Sequence, residues 1–113
     1  MHVLFLCSTN QLRSPTAEAL FASWPGITVA SAGTHPDSVH AVDSAMIEAA
    51  DLILVMKEHH KETIERRYHA ILGARPVIVL GIPDKYHRNQ PELIELLRQK
   101  VTPILEARSR ESK

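Results

Sequence analysis

The chain has a single cysteine, Cys7, among its 113 residues. A disulfide framework is therefore excluded, and a zinc site would have to draw on other ligands. Aromatic residues make up only 4% of the sequence, so a core has to be built from Val, Ile, Leu and Ala. Long apolar runs are missing too. A stretch such as Leu52-Ile53-Leu54-Val55-Met56 is far too short to span a bilayer. Met1–Cys7 has no basic leader and no small-residue cleavage site, which predicts a cytoplasmic protein without membrane association. Net charge is absent as well, because 13 basic residues balance 13 acidic ones.

That balance hides an asymmetry. Residues 1–56 hold five acids and one base, Arg13, whereas residues 57–113 hold twelve bases and eight acids. The basic excess falls on expected helices and the C-terminal tail, where solvated faces account for it. Nucleic-acid binding would need a concentrated patch with aromatics, and no such partner is expected. The seven histidines include no His-x-x-x-His pair with an acid at metalloprotease spacing. His59 and His60 are adjacent and diverge on a helix, so they read as solvated side chains and not as metal ligands.

What is present is an ordinary globular composition, 44% hydrophobic and 23% charged. The length suits one domain, expected over 1–108 with a frayed tail at 109–113. Val3-Leu4-Phe5-Leu6 reads as a strand buried on both faces and ends in the polar loop Cys7–Leu12. Ser14-Pro15 supplies a helix N-cap and a first-turn proline, and the helix stops at Pro25-Gly26. A short strand follows at Ile27–Ala30, then a turn at Ser31-Ala32-Gly33-Thr34. A helix is expected over Val42–Ala50, a strand over Leu52–Met56, a solvent-facing helix over Lys57–Tyr68 and a strand over Pro76–Leu80. An amphipathic helix over Pro91–Ala107 turns Leu93, Leu96, Leu97, Val101, Ile104 and Leu105 to one side, with Pro103 expected to kink or divide it. Short apolar strands alternating with helices predict an α/β fold with a parallel sheet covered on both faces. Ligands of such sheets bind beyond the carboxyl ends of the strands, where the Cys7–Leu12 and Gly81–Tyr86 loops fall.

The chemistry concentrates in Cys7-Ser8-Thr9-Asn10-Gln11-Leu12-Arg13-Ser14, a Cys-x5-Arg-Ser stretch between a strand and a helix start. Backbone N–H groups of a tight loop and a helix N-terminus form a concave donor surface for an anion. Arg13 adds a planar fork that holds two phosphoryl oxygens. The same field favours a thiolate at Cys7, and a thiolate in a phosphate cradle is a nucleophile for phosphoryl transfer. Ser14 is placed to donate a hydrogen bond to the sulfur. The alternative is an inert core cysteine with an arginine nearby by chance.

Val3-Leu4-Phe5-Leu6-Cys7, Asn10 and Arg13-Ser14-Pro15-Thr16-Ala17-Glu18-Ala19 resemble the opening of the low molecular weight protein tyrosine phosphatase family. Ser31-Ala32-Gly33-Thr34 resembles that family's second-strand turn, and Asp51–Met56 its third strand. The resemblance implies a flavodoxin-like three-layer sandwich with four parallel strands and helices on both faces. It further implies a cysteinyl-phosphate intermediate, with Cys7 as nucleophile, Arg13 as clamp and Asn10 holding the loop. The loop from Ser8 to Ser14 would bind phosphate, no metal or organic cofactor would be needed, and the substrate would be a phosphorylated protein or a small aryl phosphomonoester.

The departing oxygen needs a proton. The family takes it from an Asp-Pro-aromatic motif, and the nearest equivalent here is Asp84 in Ile82-Pro83-Asp84-Lys85-Tyr86, with the Asp-Pro order lost. An aspartate in an ordinary turn is the other reading. Tyr86 is a candidate substrate wall, or simply a half-exposed loop tyrosine. Only 16 residues (35–50) separate Thr34 from Asp51, where the family has a longer segment that walls the phosphotyrosine ring, so a shallower pocket is expected. Position 12 is leucine where many members have a second cysteine. Two other functions fit the loop: an arsenate reductase supplied with an external thiol, and a non-catalytic phosphate- or phosphopeptide-binding module.

Overall fold

A computed structural model describes residues 1–111 of the chain. β1 (His2–Cys7) leads through a polar loop into α1 (Arg13–Phe21), then come β2 (Thr28–Gly33), α2 (Ser44–Ala49), β3 (Leu52–Val55), α3 (Glu58–Leu72), β4 (Val77–Val79) and α4 (Pro91–Glu111). The four strands form one parallel sheet in the order β2-β1-β3-β4. The strand order reverses between β1 and β3, which makes the carboxyl end of β1 the switch point. Cys7 is the last residue of β1.

The period of two along β1 sets the layers. Val3, Phe5 and Cys7 face one side, where Ala17 and Phe21 of α1 and Leu93, Leu97, Val101 and Leu105 of α4 complete a cluster. Leu4 and Leu6 face the other, against Ile47 of α2 and Ile64 and Leu72 of α3. The alternation thus aims the Cys7 side chain at the layer that holds α1. Among the described residues, no helix is long and apolar enough to cross a membrane.

Several boundaries differ from the sequence expectation. β2 does not stop at Ala30. Phe5, Leu6 and Cys7 pair with Ser31, Ala32 and Gly33, so the expected turn is the end of a strand. The small residues read as a turn locally, but pairing with the central strand overrides that preference. α1 begins at Arg13 with Leu12 as an N-cap that makes no side-chain bond, so Ser14 is not the cap. α2 starts later than expected, with the Asp43 carboxylate accepting from the Met46 N–H at 2.9 Å. α3 runs on to Leu72, with non-helical angles at Tyr68.

Helix α4 carries Pro103 without dividing. Pro103 is exposed, so the Gln99 carbonyl that loses its partner can be hydrated, while buried Val101 and Leu105 hold the turn to the core. Of the tail expected to fray, the backbone of 109–111 is helical and residues 112–113 lie outside the described residues.

Candidate active site

The loop after β1 is braced from behind by the short 34–42 segment. The Thr34 N–H donates to the Cys7 carbonyl, His35 N–H to Ser8 and Val39 N–H to Thr9, at 2.9, 2.9 and 3.2 Å. The Ser38 hydroxyl adds a bond to the Ser8 carbonyl at 3.0 Å. Three successive carbonyls are therefore engaged by the 34–42 segment, which leaves the peptide N–H groups of the loop out of the brace. None of the backbone N–H groups of residues 8–12 donates to a backbone carbonyl among the described residues. With the uncapped start of α1 behind them, they form a concave set of donors suited to an oxyanion.

Gly33 is what permits the brace. A Cβ there would meet the Ser38 side chain and lie 2.7 Å from the Ser8 carbonyl oxygen. The short 35–50 segment supports the floor of the loop and does not line the cavity above Cys7.

Cys7, Ser8, Thr9, Gln11, Leu12, Arg13 and Asp84 line one cavity of about 160 Å³. Asn10 and Ser14, expected among the phosphate-binding residues, lie behind it. Asn10 sits at φ 58°, and its side-chain amide donates to Ser14 Oγ at 3.0 Å and to Ser31 Oγ at 2.9 Å. Asparagine tolerates this left-handed conformation better than most residues, and the two bonds hold it there. The Ser31 hydroxyl in turn donates to Glu18 Oε1 at 2.5 Å. Ser14 Oγ lies 2.9 Å from Cys7 Sγ. Asn10 supplies a hydrogen to Ser14 Oγ, so the Ser14 hydroxyl hydrogen has two acceptors within reach, Cys7 Sγ at 2.9 Å and the Ala32 carbonyl at 3.4 Å. A thiolate at the shorter distance is the stronger acceptor.

Arg13 opens α1 and is 2% exposed. Its Nη1 donates to the Ile82 carbonyl at 2.9 Å, and its Nε faces Asp84 Oδ1 at 3.7 Å. Guanidinium has five N–H donors, so this anchoring leaves others for a ligand in the cavity. The β4–α4 loop thus brings Asp84 to the mouth, with its side chain 62% exposed. Tyr86, expected at the substrate wall, is not among the residues that line this cavity. It packs against the α4 side of the core and lines a separate groove with Pro91, Glu92, Glu95, Leu96 and Gln99.

One residue of the site escaped the sequence reading. His60 was expected to be solvated, yet its side chain is fully buried and its Nε2 lies 2.9 Å from Ser8 Oγ. Burial, and then the nearby His59, Arg13 and Lys57, push it from the usual 6.5 down to about 3, so it stays neutral. The signal was available in the i, i+4 stripe His60-Ile64-Tyr68-Leu72. His60, Ile64 and Leu72 are buried, and the half-buried Tyr68 donates its hydroxyl to the Val42 carbonyl at 3.1 Å. Charge alternation along α3 conceals it, because two of the four positions in the stripe are the polar-tipped residues His60 and Tyr68.

No protein-family model matches the chain. A protein-arginine-phosphatase of Bacillus subtilis is 29% identical over 140 aligned positions, covering 88% of this chain and 93% of the relative. A probable low molecular weight protein-tyrosine-phosphatase, EpsP of Ralstonia nicotianae, is 30% identical over 129 positions, covering 93% of this chain and 84% of the relative. Both alignments are longer than the 113-residue chain, so each relative carries residues with no counterpart here. Among solved structures, the tyrosine phosphatase Wzb of Escherichia coli in complex with phosphate superimposes with a TM-score of 0.74 at 26% identity. That match covers 94% of this chain and 96% of Wzb.

Proposed function

The chain belongs to the low molecular weight protein-tyrosine-phosphatase family, and from that premise we propose that residues 1–108 form one catalytic unit that removes phosphoryl groups from protein side chains by two displacements at Cys7. The observation that carries this reading is the cavity that Cys7, the loop residues Ser8, Thr9, Gln11 and Leu12, Arg13 and Asp84 line together. In the first displacement the Cys7 thiolate attacks phosphorus, the S–P bond forms and the bond to the leaving atom breaks. Asp84 gives that atom its proton. In the second, Asp84 takes a proton from water as the water oxygen bonds to phosphorus. The S–P electron pair then returns to sulfur, which Ser14 stabilises by donating its hydroxyl. Arg13 and the loop N–H groups hold the non-bridging oxygens through both steps, where negative charge builds.

The relatives are named for removing phosphate from arginine and from tyrosine, which favours hydrolysis over arsenate reduction or passive phosphate binding. A phosphorylated protein is therefore the substrate class. The mechanism needs a reduced Cys7, which a reducing compartment such as the cytoplasm maintains. Phosphate release from nitrophenyl phosphate, a phosphotyrosine peptide and a phosphoarginine peptide tests the reading. Turnover is expected on at least one peptide, unchanged by chelator and abolished in Cys7→Ser. A requirement for an added divalent cation, or full activity in the serine variant, would overturn it.

A further inference from the structure

The mechanism leaves one buried titratable side chain unused, His60, and its partners determine what it does. Its Nδ1 receives the Lys57 backbone N–H at 3.0 Å, at the N-cap of α3. A ring nitrogen that receives a backbone N–H is the acceptor, so the proton of the neutral ring sits on Nε2. Nε2–H therefore donates to Ser8 Oγ at 2.9 Å. His60 is the one hydrogen-bond partner of the Ser8 hydroxyl among the described residues. Having accepted from His60, that hydroxyl keeps its own hydrogen, and Ser8 lines the Cys7 cavity.

We propose that His60 is a positioning residue that orients Ser8 so that the Ser8 hydroxyl donates to a non-bridging oxygen of the phosphoryl group held above Cys7. The relay runs in one direction, from the Lys57 amide through the imidazole to the serine and into the cradle. It adds one side-chain donor to the backbone set. Neutrality of the ring is essential, because a charged imidazole would have a hydrogen on Nδ1 facing the Lys57 N–H. Burial, and after it the neighbours His59, Arg13 and Lys57, all favour the neutral form. The tilted stacking of the His59 and His60 rings, with centroids 4.1 Å apart, further restricts rotation. The inference rests on the phosphatase reading of the same cavity.

Two variants of His60 separate the relay from the helix cap. His60→Asn keeps an acceptor near the Nδ1 position and loses the far donor. His60→Gln carries an amide hydrogen out to the Nε2 position. Calorimetric titration with inorganic phosphate measures the cradle without turnover, so failure of the phosphatase reading and failure of this one are read separately. Ser8→Ala and His60→Asn are each expected to weaken phosphate binding about tenfold, the scale of one hydrogen bond to a charged group. His60→Gln is expected to recover most of that loss, and the double variant Ser8→Ala/His60→Asn to be no weaker than Ser8→Ala alone. Additive losses in the double variant, or unchanged phosphate binding in Ser8→Ala, which does not touch the helix cap, would overturn the proposal.

Discussion

Asp84 is held near the cavity by Arg13 at 3.7 Å, yet its side chain is 62% exposed, so its position alone does not separate a proton donor from a loop anchor. The leaving group does. A tyrosine phenolate has a parent pKa of about 10 and is costly to expel unprotonated, whereas a nitrophenolate leaves with little help. Asp84→Ala is expected to slow cysteinyl-phosphate formation about a hundredfold for phosphotyrosine and much less for nitrophenyl phosphate. Burst-phase kinetics are the measure, because hydrolysis of the intermediate can mask the first step. Equal slowing of both substrates would make Asp84 a loop anchor through its contact with Arg13. At this scale the meeting of Cys7, Arg13 and Asp84 at one cavity was legible in the sequence. A Cys-x5-Arg-Ser stretch at a strand end and one acid in the β4–α4 loop lead to the same end of the sheet, whereas their catalytic roles are what the kinetics test. The burial of His60 was legible only through the i, i+4 stripe His60-Ile64-Tyr68-Leu72, and its bond to Ser8 was not, because Ser8 is 52 positions away.

Among the elements, β2 is the one the sequence misjudged and the site depends on. Its last residues pair with the end of β1, and from there Gly33 hands the chain to the 34–42 brace. Ser31-Ala32-Gly33 looks like a turn because the residues are small, and the reason for small residues appears only across the sheet. Ser31 has to bond Asn10 and Glu18, and Gly33 has to let the Ser8 carbonyl approach. Gly33→Ala therefore tests the brace. Because one of the clashing atoms is backbone, relief requires moving the loop, and the expected loss is about 1–3 kcal/mol. Urea unfolding measures that loss, and phosphate affinity should fall with it. A Gly33→Ala protein with undiminished phosphate affinity would mean the loop keeps its shape without the brace. The cap of α2 is the control. Asp43→Ala is expected to cost about 1 kcal/mol through its bond to Met46 N–H while leaving phosphate affinity unchanged.

For the whole molecule, the position of His60 couples the site to folding. The native state holds this ring neutral, with a pKa lowered from 6.5 to about 3 by burial first and then by His59, Arg13 and Lys57. In the unfolded chain the ring takes up a proton near its ordinary value, so below that pH the unfolded state binds more protons than the native one. Stability from this residue is thus fully present above pH about 6.5 and is lost as the pH falls from there toward about 3. Each pH unit in that window is expected to remove about 1 kcal/mol, somewhat less than the full linkage value because the site lies beside an open cavity. His60→Gln does not titrate, so its stability should fall less steeply with acid even where it starts lower at neutral pH. Urea unfolding of both proteins at matched ionic strength between pH 7 and pH 4 reads the two slopes. Parallel slopes would mean that the ring is protonated in the native state and that water reaches it, in which case Nδ1 could not accept from Lys57. A shallower slope in the variant would tie acid sensitivity of the whole fold to the same neutral imidazole that steadies Ser8 at the cavity wall.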